Sequence, residues 1–234
     1  MKELRQQWNE GAAKSITFIV TKDCQLACKY CYLVGKNSKE RMSFDVAKSA
    51  IDYILDHEDD FPEQSVIWDF IGGEPFIEID LIDKIVDYLK LEMYKKNHHW
   101  FNSYRLSFST NGLNYHTNKV QKFIEKNKTH LSIGITIDGT QQKHDLNRIY
   151  KSDNSTEERG SYEDVVRNIP LWIKQFPQAG TKVTISSDDI PYIKESVIHL
   201  FSLGIIFFQG NCSIQKVFCF GFAKLQLSCL IYLL

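Results

Sequence analysis

The chain has 234 residues, 43% of them hydrophobic and 24% charged, enough for one sizeable α/β domain or a domain with an appendage. With 28 basic against 29 acidic residues it has no general attraction for nucleic acid or a membrane surface, so partners must be read from sites. Residues 1–15 are polar and mixed in charge, without the apolar core of a secretory signal. That points to a cytoplasmic setting, where thiols stay reduced.

Ile16-Thr17-Phe18-Ile19-Val20 is a continuous β-branched and aromatic run, which predicts a strand buried on both faces of a parallel sheet. A loop with Cys24, Cys28 and Cys31 follows its end. From Ser43 to about His57 the apolar residues Phe44, Ala47, Ala50, Ile51, Ile54 and Leu55 recur at three and four, with Ser43 as N-cap. Val66 to Ile71 predicts a second strand, ending in Gly72-Gly73-Glu74-Pro75, and a helix from about Asp80 to Tyr94 comes next. The unit then repeats. Tyr104 to Phe108 is a strand ending in Ser109-Thr110-Asn111-Gly112, and Val120 to Glu125 belongs to a helix. Leu131 to Ile137 is a strand ending in Asp138-Gly139, and Tyr162 to Lys174 forms a helix. Thr181 to Ile185 is the fifth strand, with a helix from Ile190 to Leu203, Pro191 in its first turn and Gly204 as its stop.

Five β-then-α units call for parallel strands joined by right-handed crossovers, with helices packed on the sheet. In such folds the chemistry gathers at the carboxyl ends of the strands. The cysteine loop, Gly72 to Pro75, Ser109 to Gly112 and Asp138-Gly139 all fall on that edge.

Cys24-Gln25-Leu26-Ala27-Cys28-Lys29-Tyr30-Cys31 puts three thiols within eight residues. Thiolates suit iron–sulfur clusters, yet an electron-transfer cluster takes four, and the next cysteine is Cys212. A cube held by this loop keeps one iron open to a small molecule, as catalytic metal sites do. Zinc would need a fourth ligand, and the nearest candidate, His57, sits in a predicted helix. A disulfide would leave one cysteine over.

This spacing, with an aromatic residue before the last cysteine, resembles the signature of the radical S-adenosylmethionine (radical SAM) enzymes. The resemblance covers roughly Ser15 to Gly204. It implies a partial (β/α)6 radical SAM barrel, here incomplete at its C-terminal end, with a 4Fe-4S cluster on Cys24, Cys28 and Cys31 and SAM on the open iron. Gly72, Gly73, Glu74 and Pro75 look like the motif that contacts the SAM amino group. Ser109 and Asn111 resemble the strand-three end, Asp138 the strand-four segment near the ribose, and Arg148, in His144-Asp145-x-x-Arg148, the arginine that pairs with the SAM carboxylate. Tyr30 stands where the family places an aromatic near adenine. The implied reaction is reductive cleavage of SAM to a 5′-deoxyadenosyl radical that takes hydrogen from the substrate, with no Ser/His/Asp triad or acid–base pair required. A low-potential electron donor of flavodoxin or ferredoxin type is then a partner.

Trp68 to Pro75, His144 to Arg148 and Gly160-Ser161-Tyr162 together resemble the peptide-maturase branch, which carries a cysteine-rich auxiliary-cluster domain and includes the CXXX-repeat peptide maturases. A peptide or protein substrate is therefore expected, with neither nucleic acid nor a membrane as partner. The sequence divides as 1–15, a polar segment; 16–204, the core domain; and 205–234, an atypical apolar tail. In the tail Lys216 and Lys224 are the only charges, and Cys212, Cys219 and Cys229 are too spread for an auxiliary-cluster domain. The abrupt change is read as a frame shift near Ile205 that removes the proper sixth strand. Competing readings are a membrane tail over Val217 to Leu234, short and interrupted by Lys224, and an apolar helix packed on the barrel. A catalytically silent iron–sulfur fragment is the alternative function, and a zinc-binding module the next.

Overall fold

The computed structural model describes residues 13–152, 158–185 and 187–212. The backbone groups into two compact units, the first running to Gln25 and from Leu33 to Ile133, the second comprising Leu26–Tyr32 and continuing from Gly134. Cys24 thus belongs to the first, and Cys28 and Cys31 to the second.

Strands β1 (Ala13–Thr21), β2 (Ser65–Gly72), β3 (Tyr104–Thr110) and β4 (Leu131–Ile135, whose last two residues fall in the second unit) lie in that order in one sheet. β1 pairs parallel with β2, and β2 with β3. Helices α1 (Phe44–Asp56), α2 (Ile79–Lys95) and α3 (Asn118–Asn127) fill the crossovers. Val66, Trp68 and Phe70 of β2 alternate inward and are fully buried. Phe70 stacks between Phe18 of β1, at 5.5 Å, and Phe108 of β3, at 5.1 Å. Such aromatics each contribute about 1.5–3 kcal/mol on leaving water. The helices complete the layer by presenting Ala47, Ile51 and Leu55 from α1 and Ile82, Ile85, Val86 and Leu89 from α2. Ser43 caps α1 as expected, its side chain accepting from Val46 N at 3.2 Å.

One expectation is corrected here. β1 is not covered on both faces: Phe18 and Val20 are buried while Ile19 between them is 48% exposed. β1 is the edge strand of the sheet, and its helices cover a single face, so an apolar run that reads as two-sided is buried on alternate residues.

In the second unit, β5 (Thr181–Ile185) and β6 (Phe208–Cys212) pair in parallel as a separate sheet. The two strands are not part of the four-stranded sheet, so among the described residues the barrel is not closed, in keeping with the incomplete C-terminal end expected from the sequence. The rest of the apolar tail, from 213, lies outside the described residues. Helices α4 (Gln141–Asn147), α5 (Tyr162–Val166), α6 (Ile169–Gln175) and α7 (Ile193–Ser202) make up the remainder. The single helix expected over Tyr162 to Lys174 is broken, with Pro170 in the first turn of α6. Proline has no N–H for a preceding turn, so it starts a helix more readily than it continues one. Pro191 likewise falls in a 3-10 turn, Ser187–Tyr192, ahead of α7. Gly204, at φ +82°, ends α7 as expected. No helix among the described residues is long and apolar enough to cross a membrane.

Candidate functional site

In the first unit the loop leaving β1 is tied to the turn leaving β2. Gly73 N donates to Thr21 O at 2.8 Å, and Glu74 N to Asp23 O at 2.9 Å. The approach is so close that a Cβ on Gly73 would stand 2.1 Å from Asp23 O, and Gly72 adopts φ +146°. Only glycine permits both. Asp23 then turns the chain into the cysteine segment, its Oδ1 accepting from Cys24 N at 2.9 Å.

Glu74 is fully buried. Its Oε1 accepts from Phe76 N at 3.0 Å and from Thr110 Oγ1 at 2.7 Å, while Oε2 accepts from Asn111 N at 2.7 Å. A buried carboxylate is tolerable when its oxygens are met this way. Glu74 therefore fastens the β2 turn, including buried Pro75, to the end of β3. Asn111 carries the link onward: its Nδ2 reaches Gln25 Oε1 at 3.1 Å and Cys24 Sγ at 3.7 Å. An amide donor on sulfur is an arrangement that steadies a thiolate ligand. Ser109 sits on the half-buried side of β3, so the hydroxyl that meets Glu74 is that of Thr110. The alternation of a strand would have distinguished the two, since neighbours point to opposite faces.

The second unit assembles Tyr30, Asp138 and Arg148. The Tyr30 hydroxyl donates to Asp138 Oδ2 and accepts from Arg148 Nη1 at 3.0 Å. Asp138 Oδ1 accepts from Thr184 N at 2.9 Å. Burial, reinforced by Asp138 and Cys28, pushes the Tyr30 phenol well above its usual range against the pull of Arg148, so it stays protonated and donates. Burial works against the Arg148 charge, yet Tyr30, Cys28 and Asp138 outweigh it and raise its pKa. Arg148 is 6% exposed, and its Nε has no hydrogen-bond partner.

What holds Arg148 is His144, read from the sequence only as part of a motif. His144 Nδ1 accepts from Asp138 N at 3.3 Å, its Nε2 faces Ser161 Oγ at 3.0 Å, and Ser161 Oγ donates to Arg148 O at 2.9 Å. Burial first, then Arg148 and Lys143, keeps the imidazole neutral, with a pKa well below 6.5. That tautomer, with the proton on Nε2, satisfies every bond described. Gly160 and Asp145 join the same seam: Tyr162 N donates to Asp145 Oδ1 at 2.9 Å, and a Cβ on Gly160 would meet Asp145 Cγ at 1.9 Å. The motif around His144 and the one around Gly160 are thus the two sides of one contact. Their separation in sequence conceals it.

Cys24 is buried, Cys28 half-buried and Cys31 exposed, and none of them forms a disulfide. The chain matches the model of the 4Fe-4S single cluster domain over residues 10–166. It belongs to that family. Among curated relatives, an uncharacterized protein of Methanocaldococcus jannaschii is 32% identical over 196 residues, 82% of this chain and 60% of that protein. A cysteine-type anaerobic sulfatase-maturating enzyme of Clostridium novyi is 27% identical over 164 residues, 68% of this chain and 40% of the enzyme. The fold matches that of anSMEcpe with bound AdoMet at a TM-score of 0.71 and 18% identity, covering 92% of this chain and 55% of that one. It also matches Streptococcus suis SuiB bound to precursor peptide SuiA, at 0.58 and 13%, covering 91% and 42%. The radical SAM resemblance carried by the cysteine loop is borne out in fold and in family. The chain spans 60% or less of the length of these relatives.

Proposed function

We propose that this chain carries the SAM-cleaving domain of a radical SAM enzyme that modifies a peptide or protein. The residues present fit both cofactors. Cys24, Cys28 and Cys31, none of them in a disulfide, are the donor set for a cluster with one open iron, and Asn111 directs an amide at the first of them. The observation that carries the SAM reading is Arg148, a buried guanidinium with an unmatched Nε–H. A buried donor without an acceptor costs about 1–3 kcal/mol, and a carboxylate is the group a planar guanidinium matches best. Arg148 would take the SAM carboxylate, with Tyr30 and Asp138 holding the guanidinium in place. Gly72 and Gly73 bring backbone close enough for the amino group, next to Glu74 and Pro75, while Ser109 and Asn111 provide further polar contacts. When bound, cluster and SAM supply one-electron reductive cleavage, the electron coming from a flavodoxin- or ferredoxin-type donor. The protein's part is to hold both cofactors, keep Tyr30 protonated and His144 neutral, and exclude water.

A peptide substrate is supported by the sulfatase-maturating relative and the peptide-bound fold neighbour. The test is anaerobic reconstitution of the chain with iron and sulfide, followed by measurement of 5′-deoxyadenosine with SAM and a strong reductant, beside Cys28→Ala. Product from the native chain and none from the variant is expected. A bound cluster without product would replace this reading with a catalytically silent iron–sulfur fragment, and failure to bind a cluster would remove both.

A further inference from the structure

At the other edge of the first unit, where the chain enters β2 and β3, Glu58, His98 and His99 come together. Glu58 opens a 3-10 turn, Glu58–Asp60, that follows α1, and His98 and His99 stand between α2 and β3. A ring nitrogen of each imidazole and a carboxylate oxygen of Glu58 lie within 4.8 Å of one another. We infer that these side chains form a site for a divalent cation of the zinc class, independent of the cysteine cluster.

Two features beyond the clustering point to a ligand. The first is His99, whose Nε2 lies 3.0 Å from Glu63 O while Nδ1 faces Glu58 Oε1. Donating Nε2–H to a backbone carbonyl fixes the tautomer that leaves a lone pair on Nδ1, the usual orientation of a metal-bound histidine. The proton that Nδ1 otherwise shares with Glu58 is what a cation would replace. The second is His98. It is 4% exposed, stacked on His99 at 4.6 Å between ring centroids, and its Nε2 is buried with no hydrogen-bond partner. Its Nδ1 accepts from Trp100 N across a long 3.2 Å. In that arrangement Nε2 carries the proton, so a cation at Nε2 requires the His98 proton to move to Nδ1 and the long contact from Trp100 N to be given up for the coordinate bond.

Two imidazoles and a carboxylate are the protein ligands zinc takes where water fills the fourth position. Tetrahedral bonds of ~2.0–2.1 Å bring ligand atoms to roughly 3.3 Å of one another. Glu58 is the partner free to close that gap, its side chain being 53% exposed. A bound ion would staple the turn entering β2 to the turn entering β3. In parallel α/β folds the amino-terminal edge of the strands serves stability while chemistry occupies the other.

The experiment is an anaerobic cobalt(II) titration of the cluster-reconstituted chain, followed by zinc competition and thermal unfolding with and without zinc. Expected is uptake of one equivalent with ligand-field bands of nitrogen and oxygen ligands, no thiolate charge-transfer band and an unchanged cluster spectrum. His99→Gln and Glu58→Gln, both at the surface, each weaken binding by ~10-fold or more and abolish the rise in unfolding temperature with zinc, measured against each variant's own metal-free unfolding temperature. Thiolate bands alone, equal affinity in the variants, or no uptake by the native chain would overturn the inference. Because the readout is metal uptake and not SAM cleavage, its failure is separate from failure of the proposed activity.

Discussion

Two buried polar networks among the described residues, around Glu74 and around Arg148, differ in one respect. Around Glu74, described donors converge on a carboxylate and both its oxygens are used. Around Arg148, Tyr30 and the nearby charges leave one N–H without an acceptor. A closed network holds the chain, whereas an open one has something left to give a ligand. Glu74 is thus chiefly a fastener of the Gly72 to Pro75 turn, and Arg148 is the residue proposed to bind.

Glu74→Ala is the severest test of that contrast. It strands Phe76 N, Thr110 Oγ1 and Asn111 N, at about 1–3 kcal/mol for each buried donor, so urea unfolding is expected to show a loss on the order of 4 kcal/mol. A loss below 1 kcal/mol would mean the network is not a fastener. Gly73→Ala should follow at about 3 kcal/mol, because the Cβ meets Asp23 O at 2.1 Å and backbone has to move; the same unfolding curves would show it, together with lower cluster retention. Arg148→Lys is expected to spare stability more than either and to raise the KM for SAM by ~10–100-fold, since an ammonium lacks the planar fork. An unchanged KM would remove Arg148 from the site.

The smallest effect concerns His144. Its folded pKa lies well below 6.5, so as pH falls below about 6.5 the unfolded chain takes up a proton that the native chain refuses. Its contribution to stability is complete above that pH and is lost on descending toward the folded pKa, by up to ~1.4 kcal/mol per pH unit. His144→Asn should flatten the unfolding free energy between pH 6.5 and 5 relative to the native chain. Equal slopes would show that the imidazole is not held neutral.

Much of the site could be read from types and spacing because its parts are local. The cysteine triad, the Gly-Gly-Glu-Pro turn and the Asn-Gly turn each lie within a few residues, and each residue type is dictated by a local demand such as a close approach or a metal bond. Thr110 was less visible than Ser109, since a hydroxyl pair on a strand reveals its roles only once the buried face is known. His144 and Ser161 were visible as motif residues and not as supports of Arg148, because the contact closes across a stretch of chain that no periodicity spans.

The sequence by itself determined the alternation of strands and helices through the first four strands, the three-cysteine loop and the glycines of the β2 turn, since those follow from period, spacing and steric need. Tertiary structure alone decided that β1 is covered on one face, that Glu74 is saturated while Arg148 keeps an open donor, and that His98 and His99 face Glu58. These depend on which groups exclude water from one another, and exclusion of water is a property of the packed chain, not of its local order.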